Sequence, residues 1–199
     1  YGAMFLGQYE PAIKAAQGLI DTIPVDLLRM ESPPMADFVE GYLPMKQHVL
    51  VRFGKWQEII DQQPYEDADL YCSTNTMIHY AKGVAHAALG QIADAEHERE
   101  NFRAARAKVP ESRTVHNNTC WDLFDIAEEM LTGEIEYRKG NHDVAFAHLR
   151  KSIELDDNLP YDEPWGWMQP TRHALGALLL EQGRVEEAEA VYRADLGLD

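Results

Sequence analysis

The side chains able to do chemistry in this chain are imidazoles, carboxylates and two thiols, and their spacing limits what that chemistry can be. His79 and His86 stand seven residues apart and would share one helical face. Ligands so spaced lie about 10 Å apart along the helix axis, too far to close on one metal ion, so both read as packing residues. Glu129 and Glu136 repeat the spacing in "EEMLTGEIE", where a solvated or packed helix face accounts for them better than an acid–base pair. Cys120, beside Trp121 and near His116, has the makings of a nucleophile, but its apolar flank describes a buried, inert thiol. There is no GxSxG elbow, HExxH, P-loop or Rossmann glycine pattern. No residue is therefore assigned a catalytic role, and neither a cofactor nor a metal is expected.

The elements that would position such groups must come from a chain of 199 residues, enough for one sizeable domain or a short repeat array. Apolar residues make up 45% of it, which supports a packed core. Acidic residues number 34 against 18 Lys and Arg, a formal net charge of −16. Nucleic acid and anionic lipid both need a positive surface, so neither is an expected partner. No apolar run reaches the length of about 18 residues that spans a membrane, and the first residues carry no signal-peptide pattern. Cys72 and Cys120 are too few for a disulfide framework and lack zinc-ligand spacing, so a reducing cytoplasm is the simplest home.

One phrase recurs along the chain. "FLGQYEPAIKAA", "RFGKWQEII", "ALGQIADAE", "RKGNHDVAFAHL" and "EQGRVEEAEAVY" each set a glycine (Gly7, Gly54, Gly90, Gly140, Gly183) before a mostly bulky residue two later and a small or aliphatic one five later. The glycine can take the left-handed conformation that ends a helix. The residue five later lets a second helix approach the first closely, which requires Ala95, Ala145 and Ala188 to be buried. Gly83, Gly133 and Gly176 fall seven before three of the anchors, where Gln47 departs. A helical glycine costs about 1 kcal/mol against alanine, so close packing is the expected reason for each.

On these residues the chain resembles the tetratricopeptide-repeat family, whose unit is a helix-turn-helix of about 34 residues. The stretches "PPMADFVEGYLPMKQHVLVRFGKW" and "LPYDEPWGWMQPTRHALGALLLEQGR" resemble uncharacterised bacterial proteins built from divergent repeats of this kind. The resemblance implies an all-α solenoid of about five hairpins, irregularly spaced, over roughly 1–24, 35–64, 72–110, 121–158 and 163–199. Tyr1 falls midway along a first helix and Gly197-Leu198-Asp199 supply no polar cap, so a piece of a longer array is expected. Ser32 before Pro33 and Asp162 before Pro164 are candidate helix caps, and Pro44 and Pro170 mark a kink or a delayed start. The two tryptophans of "YDEPWGWMQP" either seal the seam between the fourth and fifth hairpins or form a ligand-binding rim.

In this family the first helix of each hairpin lines a concave face. Counted from the glycines, the family's groove positions fall on Pro44, His48 and Arg52; on Tyr80, Val84 and Ala87; on Met130, Glu134, Tyr137 and Arg138; and on His173, Ala177 and Glu181. The candidate ligand-groove residues are His48, Tyr80, Glu134, Tyr137, Arg138 and His173. The resemblance implies an interaction scaffold for an unknown protein or peptide, with a small polar ligand as a further possibility. The alternative is a ligand- or metal-dependent enzyme whose groove site is completed by flanking repeats, with His48, Glu134 and His173 as its trio. The family's carboxylate-clamp positions carry Pro44 and His48, or Tyr80 and Val84, in place of lysine and asparagine, which argues against an acidic tail as partner. Arg138 and Glu134, four apart, can also pair with each other.

Overall fold

Gly7, Gly54, Gly90, Gly140 and Gly183 all adopt a positive φ, between 63° and 86°. Each ends one helix and turns the chain into the next. In the computed structural model, which describes residues 1–198, the pairs are α1 (Gly2–Phe5) with α2 (Tyr9–Thr22), α5 (Met45–Arg52) with α6 (Trp56–Ile60), α7 (Cys72–Ala88) with α8 (Ile92–Arg106), α9 (Cys120–Arg138) with α10 (His142–Asp157), and α11 (Thr171–Glu181) with α12 (Val185–Asp195). Short α3 (Val25–Leu28) and α4 (Met35–Val39) fill the connection after α2. The end of the fifth repeat at Asp199 lies outside the described residues.

Packing within the hairpins follows the sequence register. Ala95, Ala145 and Ala188 are fully buried where the second helix crosses the first. The helical glycines are filled by their neighbours. A Cβ on Gly83 would stand 2.7 Å from Leu131, one on Gly133 2.8 Å from Leu149, and one on Gly176 2.5 Å from Tyr192. Successive hairpins lie side by side, α7 against α9 and α10 against α11. One core gathers Phe102, Phe124, Ile126, Leu131 and Ile135, and a second gathers Phe146, Leu149, Leu175 and Leu179.

Helix starts depart from expectation in the connections. Met35–Val39 and the following 3-10 turn, Glu40–Tyr42, are separated by Pro44 from α5, so a long helix in the second repeat is replaced by short pieces. Pro170 likewise delays α11 to Thr171. Ser32 and Asp162 cap no helix. Asp162 turns inward instead and accepts from the Asn117 backbone N–H at 3.1 Å and from Asn118 Nδ2 at 2.5 Å.

Its partners sit in an element with no counterpart in the sequence reading: a hairpin of β1 (Thr114–Val115) and β2 (Asn118–Thr119), turned at His116 with φ 53°. The hairpin leads directly into α9, where Thr119 Oγ1 accepts the Asp122 backbone N–H. α7 is capped from a distance. The Glu40 carboxylate, fully buried, accepts the N–H groups of Ser73 and Thr74, and Arg113 stands 3.7 Å from it. An anion at a helix start is favourable, and the arginine offsets part of the cost of burying it. Burial still raises the Glu40 pKa, against the lowering effects of Thr74 and Arg113.

Residues 158–170 form a strap that ties the last hairpin to the first three. Trp167 packs edge-on against His48 of α5 and Tyr80 of α7, with ring centroids 5.2 and 5.4 Å apart. Gln169 Nε2 donates to the His48 carbonyl at 2.8 Å. Trp165 meets Tyr1 and Phe5 at the N-terminal end. The seam these tryptophans close thus joins distant hairpins, rather than the fourth and fifth, because the strap turns inward across the faces of α5 and α7.

Candidate functional site

The strap and the first helices of four hairpins line a pocket of about 350 Å³ that is open to solvent on one side. α5 supplies Arg52, α7 supplies Tyr80 and Val84, α9 supplies Met130, Glu134 and Arg138, and α11 supplies His173 and Ala177. All eight are positions that the repeat count places on the inner face. Trp56 and the strap residues Trp167, Gln169 and Pro170 complete the wall.

Of the six candidate groove residues, Tyr80, Glu134, Arg138 and His173 line this pocket, whereas His48 and Tyr137 do not. His48 lies beneath Trp167 and is only 5% exposed. Its burial lowers its pKa from 6.5 to about 4 and keeps the ring neutral at pH 7. Tyr137 points into the seam between the last two hairpins, where Gln182 Nε2 donates to its hydroxyl at 2.8 Å and His142 and Phe146 flank its ring. Its neighbour in sequence, Glu134, is one helical turn earlier and faces the pocket, so the rotation of α9 separates the two. Ala87 is buried, and Glu181 stands outside the pocket.

The electrostatics of the pocket are mostly settled internally. Arg138 Nε donates to Glu134 Oε1 at 2.8 Å along one face of α9. Partial burial opposes the Arg138 charge, but Glu134 holds its pKa above the ordinary value. His173 Nε2 lies 3.0 Å from Asp195 Oδ2, and its Nδ1 lies 3.3 Å from Arg52 Nη1. Arginine can only donate, so Nδ1 is the acceptor toward Arg52 and Nε2–H the donor toward Asp195. Tyr80 is buried to 4% exposure and its hydroxyl makes no hydrogen bond among the described residues. Burial, and secondarily Glu134, raise its pKa, so it stays a phenol and a donor.

The trio His48, Glu134 and His173 does not assemble. No group of three or more metal-ligating side chains occurs among the described residues, and Trp167 stands over His48. The other histidines and carboxylates singled out by spacing are tied in pairs: His79 to Glu98, His86 to Gln91, Glu129 to His148, and Glu136 to Lys139. Cys120 is buried beside Ser73 Oγ, and its thiol is pushed up to about 12 by burial. Arg52, Val84, Met130 and Ala177 were legible as groove positions. Trp167 was legible as either a seam or a rim residue, whereas Gln169 and Pro170 were not legible as part of a site, because an aperiodic connection carries no register.

No family model, curated protein or solved structure matches the chain. Among the described residues no helix is long and apolar enough to cross a membrane.

Proposed function

We propose that the protein is a binding module of the tetratricopeptide-repeat kind, an irregular α-solenoid that takes its ligand or partner on the concave face. The single observation that carries this reading is the shared pocket. Four first helices, far apart in sequence, each contribute side chains to one pocket of about 350 Å³ that opens to solvent. That size falls in the range of small-molecule sites, and its lining mixes rings with a few polar groups. The strap crosses the face that an extended peptide would need. The occupant is therefore a compact group, either a small polar molecule or an anchoring side chain of a protein or peptide.

Ala177 offers the test. It lies on the pocket wall with an exposed side chain, so Ala177→Trp fills the pocket without disturbing a core. In a thermal-shift screen of small polar molecules and short peptides, compounds that raise the Tm of the wild type should fail to raise that of Ala177→Trp. Compounds that stabilise both equally bind elsewhere, and a screen with no stabilising compound contradicts the reading.

A further inference from the structure

Resting on that reading, we infer that the pocket takes a small aromatic monocarboxylate, with Arg52 holding the carboxylate and Tyr80 donating to a second oxygen on the ring. The charge arrangement points this way first. Glu134 and Arg138 cancel each other at 2.8 Å, and His173 is engaged on both ring nitrogens, by Asp195 and Arg52. Arg52 is left over. Among the described residues no carboxylate lies within ion-pair distance of it. Its recorded contacts are the His173 nitrogen and the Phe5 ring, 5.7 Å from the guanidinium carbon.

Among the charged side chains that line the pocket, Arg52 alone has no carboxylate partner, with Asp195 standing behind His173 and outside the lining, and this matches a single negative charge on a ligand. Since only Nη1 is engaged, the rest of the planar donor fork is available for two-point contact with a carboxylate. A doubly charged phosphate would carry excess negative charge toward Glu134 on the same wall.

Tyr80 supplies the second, independent observation. Tyr80 lines the pocket and is 4% exposed, and among the described residues no side chain or backbone group accepts its proton. The hydroxyl is therefore free to donate to an acceptor on a ligand that enters the pocket. Trp56, Trp167, Val84 and Met130 line the remaining space and suit a flat ring. A volume of about 350 Å³ accommodates a single-ring acid.

Trp56 and Trp167 report the binding directly, because both indoles line the pocket. Intrinsic fluorescence of the full chain is titrated at fixed ionic strength with 4-hydroxybenzoate, benzoate, 4-hydroxybenzamide and benzylamine. The two acids should give saturable changes with affinity about tenfold or more above the neutral amide, the size expected of a charge-assisted contact. Arg52→Gln should erase the preference for acid over amide, and Tyr80→Phe should weaken 4-hydroxybenzoate more than benzoate, with Tm unchanged in both variants. Amide or amine binding as well as the acids, abolished by Ala177→Trp, overturns the carboxylate assignment and leaves the pocket reading standing. Binding of acids that neither Arg52→Gln nor Tyr80→Phe alters overturns it as well. If no acid binds, the assignment fails, and the screen with Ala177→Trp decides separately whether the pocket reading fails with it.

Discussion

The indole of Trp167 stands edge-on to the Tyr80 ring, with centroids 5.4 Å apart, although one residue belongs to the strap before α11 and the other to the middle of α7. This contact forms part of the wall of the pocket. Trp167 is 2% exposed and also covers His48, so the strap is part of the core as well as the roof of the site. Trp167→Ala should therefore cost about 3–5 kcal/mol, the range for removing a buried ring. Denaturant unfolding measures it, and a loss under about 1 kcal/mol would mean that the strap is not held by this residue.

Ala95, Ala145 and Ala188 mark the crossing of the two helices in three hairpins and have no exposed surface. Enlarging any one to leucine should overpack its hairpin and destabilise the protein by about 1–3 kcal/mol. Unchanged melting in two of the three variants would break the repeat register.

Much of this framework was legible because its causes are local. A glycine at a helix end is read from the conformation that it alone adopts cheaply, and Gly7, Gly54, Gly90, Gly140 and Gly183 all have it. The alanines were legible for a similar reason, since a fixed offset from the turn sets where two helices cross. The fate of His48 was not legible. It occupies an inner-face position in α5, but Trp167, far along the chain, closes over it. Tyr137 misled in another way: position 137 borders two faces of α9, and Gln182 and Phe146 draw it into the seam. The Glu40 cap on α7 and the β-hairpin at Thr114–Thr119 arise inside connections, where no period exists to read.

Neighbouring Tyr137 and Arg138 should accordingly respond in opposite ways to substitution. Tyr137→Ala removes a buried ring and should lower stability by about 3 kcal/mol or more. Arg138→Ala breaks a partly exposed ion pair within one helix and should change stability by no more than about 1 kcal/mol. Paired unfolding curves decide this, and equal losses would contradict the placement of the two side chains.

His48 makes stability depend on pH. Its pKa in the folded protein is about 4, below the ordinary 6.5. The unfolded chain therefore binds the proton more readily, and the contribution of the neutral ring is complete above pH 6.5 and lost as pH falls toward 4. The loss should approach about 3 kcal/mol at pH 4. Asp156 acts in the opposite sense over the same window. Burial raises its pKa from 3.8 to about 6, so its charge opposes folding as pH rises through that range. His48→Gln should flatten the acid side of the stability profile, and Asp156→Asn should steepen it. Profiles that coincide with that of the wild type would contradict both assignments.

The most direct test of the concave pocket as the working surface uses the four indole N–H signals of the protein. Trp56 and Trp167 line the pocket, whereas Trp121 donates to the Val109 carbonyl and Trp165 packs on Tyr1 and Phe5. A compound that raises the Tm is titrated into isotopically labelled protein, with the signals assigned by single Trp→Phe variants. The account predicts that the Trp56 and Trp167 signals shift along one saturable curve while that of Trp121 stays in place. Shifts confined to Trp121 or Trp165, or none at all under saturating compound, would contradict it.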